Sequence, residues 1–242
     1  GPWSPSNYDH EYHGWVTLTE ALKRSYNIPA VKVAEFVGPD KVRAIAEGFG
    51  LKGELAPGPA LALGASESTL IEMTGAYAGI LNGGSSVEPY GMTELRLQGD
   101  NTVLMGQDGG MGERVITPQA AEQLIYMMNQ VVDSGTGVRA KLADREAAGK
   151  TGTTQAARDA WFLGFTADYV TGVWMGYDDN RPLSGVTGSG LPAEIWHEVM
   201  VRVHEGLPAR PLPMIRPAAP PEVQTSERWQ DNKNGGQNRK NR

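Results

Sequence analysis

Apolar positions recur at helical spacing over most of the chain and at strand spacing over one later block, and this alternation predicts its elements. Thr17 with Glu20 three residues on makes a capping box, and Leu18, Ala21 and Leu22 supply a short apolar face, so a helix should start at Leu18. Pro29 pushes Ile28 out of the helical region and is placed to open a second helix itself. That helix presents Ala30, Val31, Val33, Ala34 and Val37 and stops at Gly38. A third helix over residues 40–47 turns Val42, Ile45 and Ala46 inward. The Thr69/Glu72 box opens a fourth with Leu70, Met73, Tyr77, Ile80 and Leu81 on its face, ended by Asn82-Gly83-Gly84. Residues 85–116 mix short alternation with glycines, among them Gly109-Gly110, and predict weak strands and a surface loop. Thr117 then caps a helix with Pro118 first, and Ala121, Leu124, Ile125, Met128 and Val132 form its buried face. Asp133-Ser134-Gly135-Thr136-Gly137 closes it.

From Ala143 the period falls to two. Three strand-like runs follow, 147–153, 160–166 and 169–177, the last two joined by Ala167-Asp168 at hairpin length. They predict an antiparallel sheet, and Pro192 opens a last helix with Ile195, Trp196, Val199, Met200 and Val203 along one face. Trp161, Trp174 and Trp196 lie on periodic elements and are expected in the core. The fold class is therefore α+β, an antiparallel sheet flanked by helices, in two parts. Residues 1–206 form the folded part, and 207–242, Pro-rich and then rich in Asn, Gly, Lys and Arg, form a tail with almost nothing to bury, expected to be disordered.

With 242 residues, 40% of them hydrophobic, the chain can bury a core without metal or disulfide staples. A net charge of −6 leaves no basic field to hold phosphate backbones, so no nucleic-acid partner is expected. The absence of cysteine excludes thiol catalysis, thiolate zinc sites and disulfides. No apolar run reaches the length of a membrane span, about 18 residues, and no leader pattern opens the chain. Its first residue is Gly1, as expected of a processed or truncated chain. No metal or cofactor is expected: His10 and His13 have no third ligand near them in sequence, His197 and His204 flank the last helix, and Asp178-Asp179-Asn180 suits a turn rather than a calcium loop.

Two motifs carry candidate chemistry, Ser25-Tyr26-Asn27 at the junction of the first two helices and Lys150-Thr151-Gly152-Thr153 on the first strand of the sheet. The first is short and also fits simple helix capping by Ser25 and Asn27. A strand lysine likewise fits a solvated sheet edge, but Gly152 weakens a strand unless a ligand or another backbone approaches it closely. Together the groups suit acyl transfer through a serine ester. A lysine gives positive potential, threonine hydroxyls can hold a substrate carboxylate, and a strand N–H can face an oxyanion.

The surroundings of these motifs resemble the class A, bifunctional penicillin-binding proteins. The resemblance runs in order through Trp3-Ser4-Pro5-Ser6-Asn7-Tyr8-Asp9, Val16-Thr17-Leu18, the stretch 25–32, Ala62-Leu63-Gly64, Glu72-Met73 and Ala76-Tyr77-Ala78. It continues through Gly149-Lys150-Thr151-Gly152-Thr153-Thr154-Gln155, Arg158-Asp159-Ala160-Trp161-Phe162, Gly172-Val173-Trp174 and Gly176-Tyr177-Asp178-Asp179-Asn180. It implies a β-lactamase/transpeptidase-like fold and a D,D-transpeptidase that cross-links peptidoglycan stem peptides, is acylated by β-lactams and works in the bacterial periplasm or outside the cytoplasm. Ser25 would relay protons between nucleophile and leaving amine, Lys150 would support it, and Asn27 would bond the acyl side chain. Thr151 and Thr153 would engage the substrate carboxylate, with the Thr153 N–H facing the oxyanion and Gly152 leaving room. Tyr26 receives no task beyond packing.

One departure matters. That family's nucleophile sits in an S-x-x-K element, and no serine of this chain has a lysine three positions on. The expectation is that the nucleophile, the upstream strands, the glycosyltransferase domain and the membrane anchor belong to a segment upstream of Gly1. The chain alone should then be inactive, with an unpaired sheet edge and part of its core exposed. An alternative is a non-catalytic complementary or stem-peptide-binding fragment, and a stand-alone carboxypeptidase or β-lactamase is disfavoured because it too needs the serine.

Overall fold

A computed structural model describes residues 4–106 and 110–218. Trp3, Gly109 and residues 219–242 of the expected tail lie outside the described residues. The helices are α1 (Leu18–Arg24), α2 (Asn27–Val37), α3 (Pro39–Gly48), α4 (Leu70–Leu81), α5 (Pro118–Ser134) and α6 (Leu191–Val203). The strands are β1 (Glu94–Arg96), β2 (Val103–Gly106), β3 (Ala148–Thr153), β4 (Asp159–Phe165) and β5 (Val170–Gly176).

The local signals set most of these boundaries. Thr17 accepts from the Glu20 amide at the head of α1, Thr117 accepts from the Ala120 amide at the head of α5, and Thr69 with Glu72 completes a reciprocal capping box on α4. One boundary differs: α2 begins at Asn27, so Ile28 is helical and Pro29 is the third residue. The first four amides of a helix have no intrahelical acceptor, so a proline there removes no bond. In α3 no residue is fully buried and Ile45 is exposed.

β3, β4 and β5 form an antiparallel sheet in that order, with Lys150 opposite Leu163 and Leu163 opposite Gly172. Cross-strand partners share a face. Ala148, Lys150 and Gly152 therefore point the same way as Phe165, Leu163 and Trp161. That face packs on α4 and α5 through a core of Ile125, Met128, Ala148 and Phe165, with Tyr77, Ile80 and Leu81 against it. The other face turns Phe162 and Val173 into a second core with Val132 of α5 and Ala193, Trp196 and Met200 of α6. Trp196 is fully buried, its ring edge-on to Phe162 at 5.3 Å. α6 carries a further apolar stripe, Leu191, Ile195, Val199 and Val203, that is exposed among the described residues. No described helix is long and apolar enough to cross a membrane.

Two expectations are corrected. Trp174 is 38% exposed, not core. It pairs with Trp161 at the end of the sheet, beyond Gly172, where α4 begins, and its indole N–H donates to Asp159. The tail is not bare from Gly206 on, because over 207–218 it straps back across the sheet's end. Leu212 is 5% exposed within the α5 core, the Leu212 amide donates to Glu146, and the Ile215 amide donates to the Glu122 carbonyl. Arg210 and Arg216 pair with Asp168 and Glu146.

Candidate active site

The site forms where the C-terminal ends of α1 and α5 meet beside β3. Gly135, just past α5, lies so close to α1 that a Cβ on it would come 2.5 Å from the Lys23 carbonyl. The Thr136 amide donates to that same carbonyl at 3.2 Å. Such an approach suits a residue without a side chain, and it sets the last turn of α1 against the middle of β3.

Ser25 caps α1 in the left-handed conformation, φ 59°, ψ 42°, with its amide turned back to the helix carbonyls. A serine persists there only where its surroundings over-determine it. Neither Ser25 nor Asn27 caps with its side chain, contrary to the simpler alternative. Lys150 Nζ donates to Ser25 Oγ at 2.7 Å and to the Thr151 carbonyl at 2.8 Å, and Asn27 Nδ2 donates to the Ser6 carbonyl at 2.8 Å. Among the described residues, Asn27 Oδ1 and the second amide hydrogen make no bond and are available to another partner.

Lys150 is half-buried rather than a solvated edge lysine, and burial of its ammonium pushes its pKa down to about 8. Thr151 points to the opposite face, its hydroxyl 2.8 Å from that of Thr136. Thr153 Oγ1 accepts from the Gly188 amide at 3.0 Å, which leaves the hydroxyl proton to donate elsewhere. Gly188 itself lies on the strand: a Cβ there would be 2.4 Å from the carbonyl oxygens of both Gly152 and Trp161. At Gly152 a Cβ would meet Trp161 Cβ on the neighbouring strand at 3.3 Å, so the glycine spares a tight cross-strand contact.

The structure thus brings Ser25 and Lys150 into contact. Thr151 and Thr153 lie along the same strand but on its other face, and Asn27, two residues beyond Ser25 and the first residue of α2, does not bond to Lys150. Sequence reasoning missed Thr136 and Gly188, since one lies in the loop read as closing a helix and the other in a stretch without a periodic or motif signal. It also missed Asn7, buried at 4% exposure, which accepts from the Ile28 amide with Oδ1. An asparagine in a loop with no periodicity carries no signal of burial. The expectation that His13 has no further ligand-type neighbours is corrected too, because Asp9 and Glu11 carboxylate oxygens converge with its ring within 4.8 Å.

The family model "Penicillin binding protein transpeptidase domain" matches residues 1–200. The chain is 37% identical over 199 residues to penicillin-binding protein 1A of Aquifex aeolicus, covering 82% of this chain and 27% of that protein. It is 34% identical over 206 residues to penicillin-binding protein 1B of Haemophilus influenzae, covering 84% and 26%. It therefore spans about a quarter of the length of these relatives. Among solved structures, penicillin-binding protein 1A from Haemophilus influenzae superposes with a TM-score of 0.76 at 28% identity, covering 90% of this chain and 38% of that one. The PonA1 protein from Mycobacterium tuberculosis in complex with penicillin V gives 0.78 at 26% identity, covering 89% and 65%.

Proposed function

Since this chain belongs to the penicillin-binding protein transpeptidase family, we propose that it supplies one wall of a D,D-transpeptidase site that cross-links peptidoglycan stem peptides and is acylated by β-lactams. The observation that carries this is the 2.7 Å bond from Lys150 Nζ to Ser25 Oγ, a charged donor fixed on a hydroxyl at a strand edge.

The nucleophilic serine comes from an S-x-x-K segment outside this sequence. Its hydroxyl attacks the carbonyl carbon of the penultimate D-residue, the C–N bond breaks, and the leaving amine takes a proton. Ser25 delivers that proton and takes up in its place the one the attacking hydroxyl gives up, and the Lys150 ammonium at its oxygen favours the relay. The Thr153 hydroxyl donates to the substrate carboxylate with Thr151 beside it, the Thr153 N–H faces the oxyanion, and Gly152 leaves the space the substrate strand needs. Asn27 bonds an amide of the acyl side chain with the groups Ser6 does not use. An acceptor amine then displaces the serine ester. Residues 1–206, strapped by 207–218, are the catalytic portion contributed by this chain, with no cofactor. The serine segment and a glycosyltransferase domain are its covalent neighbours, and the whole acts outside the cytoplasm on a membrane anchor.

Labelling with a fluorescent penicillin followed by intact mass tests this, on the chain alone and on the chain joined to its serine-bearing segment. Label on the joined protein that is lost with Lys150→Ala is expected. Covalent label on the chain alone would place the nucleophile among its own serines and overturn the proposal.

A further inference from the structure

Tyr26 stands between the two residues assigned chemistry and has no part in it, yet its ring is held. The His13 imidazole stacks on it with centroids 4.2 Å apart and planes 13° from parallel. His13 is fixed in turn by Asp9, whose Oδ2 lies 2.7 Å from His13 Nε2. The Glu11 amide, and after it His13, hold the Asp9 carboxyl below the usual carboxylate range, so Asp9 accepts and the ring N–H donates. The same loop grips the next two residues: the Ser6 carbonyl takes the Asn27 side chain, and Asn7 takes the Ile28 amide while its Nδ2 donates to the Glu11 carbonyl at 2.8 Å. Three consecutive residues after Ser25 are therefore each held by the segment 6–13.

Ser25 needs such a brace. Its left-handed backbone is unfavourable for a residue with a side chain, and its Oγ must stay within hydrogen-bond reach of Lys150 Nζ. A relaxed Tyr26 would let the junction rotate toward ordinary dihedrals and carry the hydroxyl off the lysine. We propose that His13, stacked on Tyr26 and tethered by Asp9, is a positioning residue for the proton relay, acting through Tyr26 on Ser25. This rests on the transpeptidase assignment above. The flat face of the ring does most of the holding and the Asp9 tether adds to it, so a planar ring at position 13 keeps most of the effect without the tether.

The test is saturation kinetics of fluorescent-penicillin acylation in the protein carrying the serine segment, which separates half-saturation from the first-order acylation constant. His13→Ala is expected to lower the acylation constant about tenfold, with half-saturation changed less than twofold, as displacement of an aligned group does. His13→Phe keeps the stack and is expected within about twofold of wild type. Wild-type kinetics in His13→Ala, or His13→Phe as slow as His13→Ala, would overturn the positioning role. Absence of acylation in the wild type, or full acylation of Lys150→Ala, would instead overturn the transpeptidase assignment on which it rests.

Discussion

Lys150 Nζ and Ser25 Oγ lie 2.7 Å apart although 125 residues separate them in the chain. Neither group has this partner by local geometry. α5 brings them together, its C-terminal loop lying on the last turn of α1 while its body packs behind β3. Because burial brings the Lys150 pKa down to about 8, the charge that supports Ser25 is lost within an accessible pH range. The acylation constant is expected to fall as pH rises through about 8, measured by stopped-flow labelling between pH 6 and 10. Lys150→Arg keeps its charge throughout, so its profile, though lower, is expected to show no fall there. A flat wild-type profile would contradict the role of the charge.

The same shift has a sign in stability. The folded pKa of about 8 lies below the free value of 10.5, so between these pH values the unfolded chain binds more protons and stability rises with pH. Below about pH 8 the full penalty of burying the ammonium is present, up to about 3 kcal/mol. Lys150→Met removes it while forfeiting two hydrogen bonds from a charged donor, worth about 3–6 kcal/mol together. At pH 7 this variant is expected to lose acylation and to melt below the wild-type temperature by differential scanning calorimetry. An equal or higher melting temperature would mean that the desolvation outweighs the two bonds.

Gly188→Ala would force a Cβ against two carbonyl oxygens of the sheet. The loop must lift and its amide leave Thr153. Destabilisation of about 1–3 kcal/mol is expected in urea titration, together with a raised half-saturation for penicillin as the Thr153 hydroxyl loses its orientation. Unchanged half-saturation would show that Thr153 needs no support from this loop.

Leu212→Ala is expected to cost about 2–5 kcal/mol, because the side chain is buried against Ile125, Met128 and Phe165. Ending the chain after Gly206 should be at least as destabilising, and ending it after residue 218 should keep the strap. Equal denaturant midpoints for the 206 and 218 truncations would show that the strap contributes nothing.

The elements were legible in the sequence because their signals are local. The Thr17, Thr69 and Thr117 caps each act within three residues, and the change of period after Ala143 marks the sheet whatever lies around it. Ser25, Asn27 and Lys150 were legible as candidates because residue type and motif spacing are written in the chain. Pro29 misled, since its bias against helix at Ile28 is a preference that packing of α2 overrode. Trp174 misled as well, because period-two alternation assigns a residue to a face but not to the covered part of that face.

By itself, then, the sequence determined the order and type of the elements, the α+β class, the family, and a set of candidate residues. The tertiary structure decided what each candidate meets and which further residues join them: Lys150 on Ser25, Thr136 on Thr151, Gly188 on Thr153, His13 on Tyr26, and Leu212 folded back into the α5 core. The physical reason is range. Capping and periodicity act over a few residues of contiguous chain, whereas a hydrogen bond between distant segments and the burial that moves a lysine's pKa exist only once the helices and the sheet have packed.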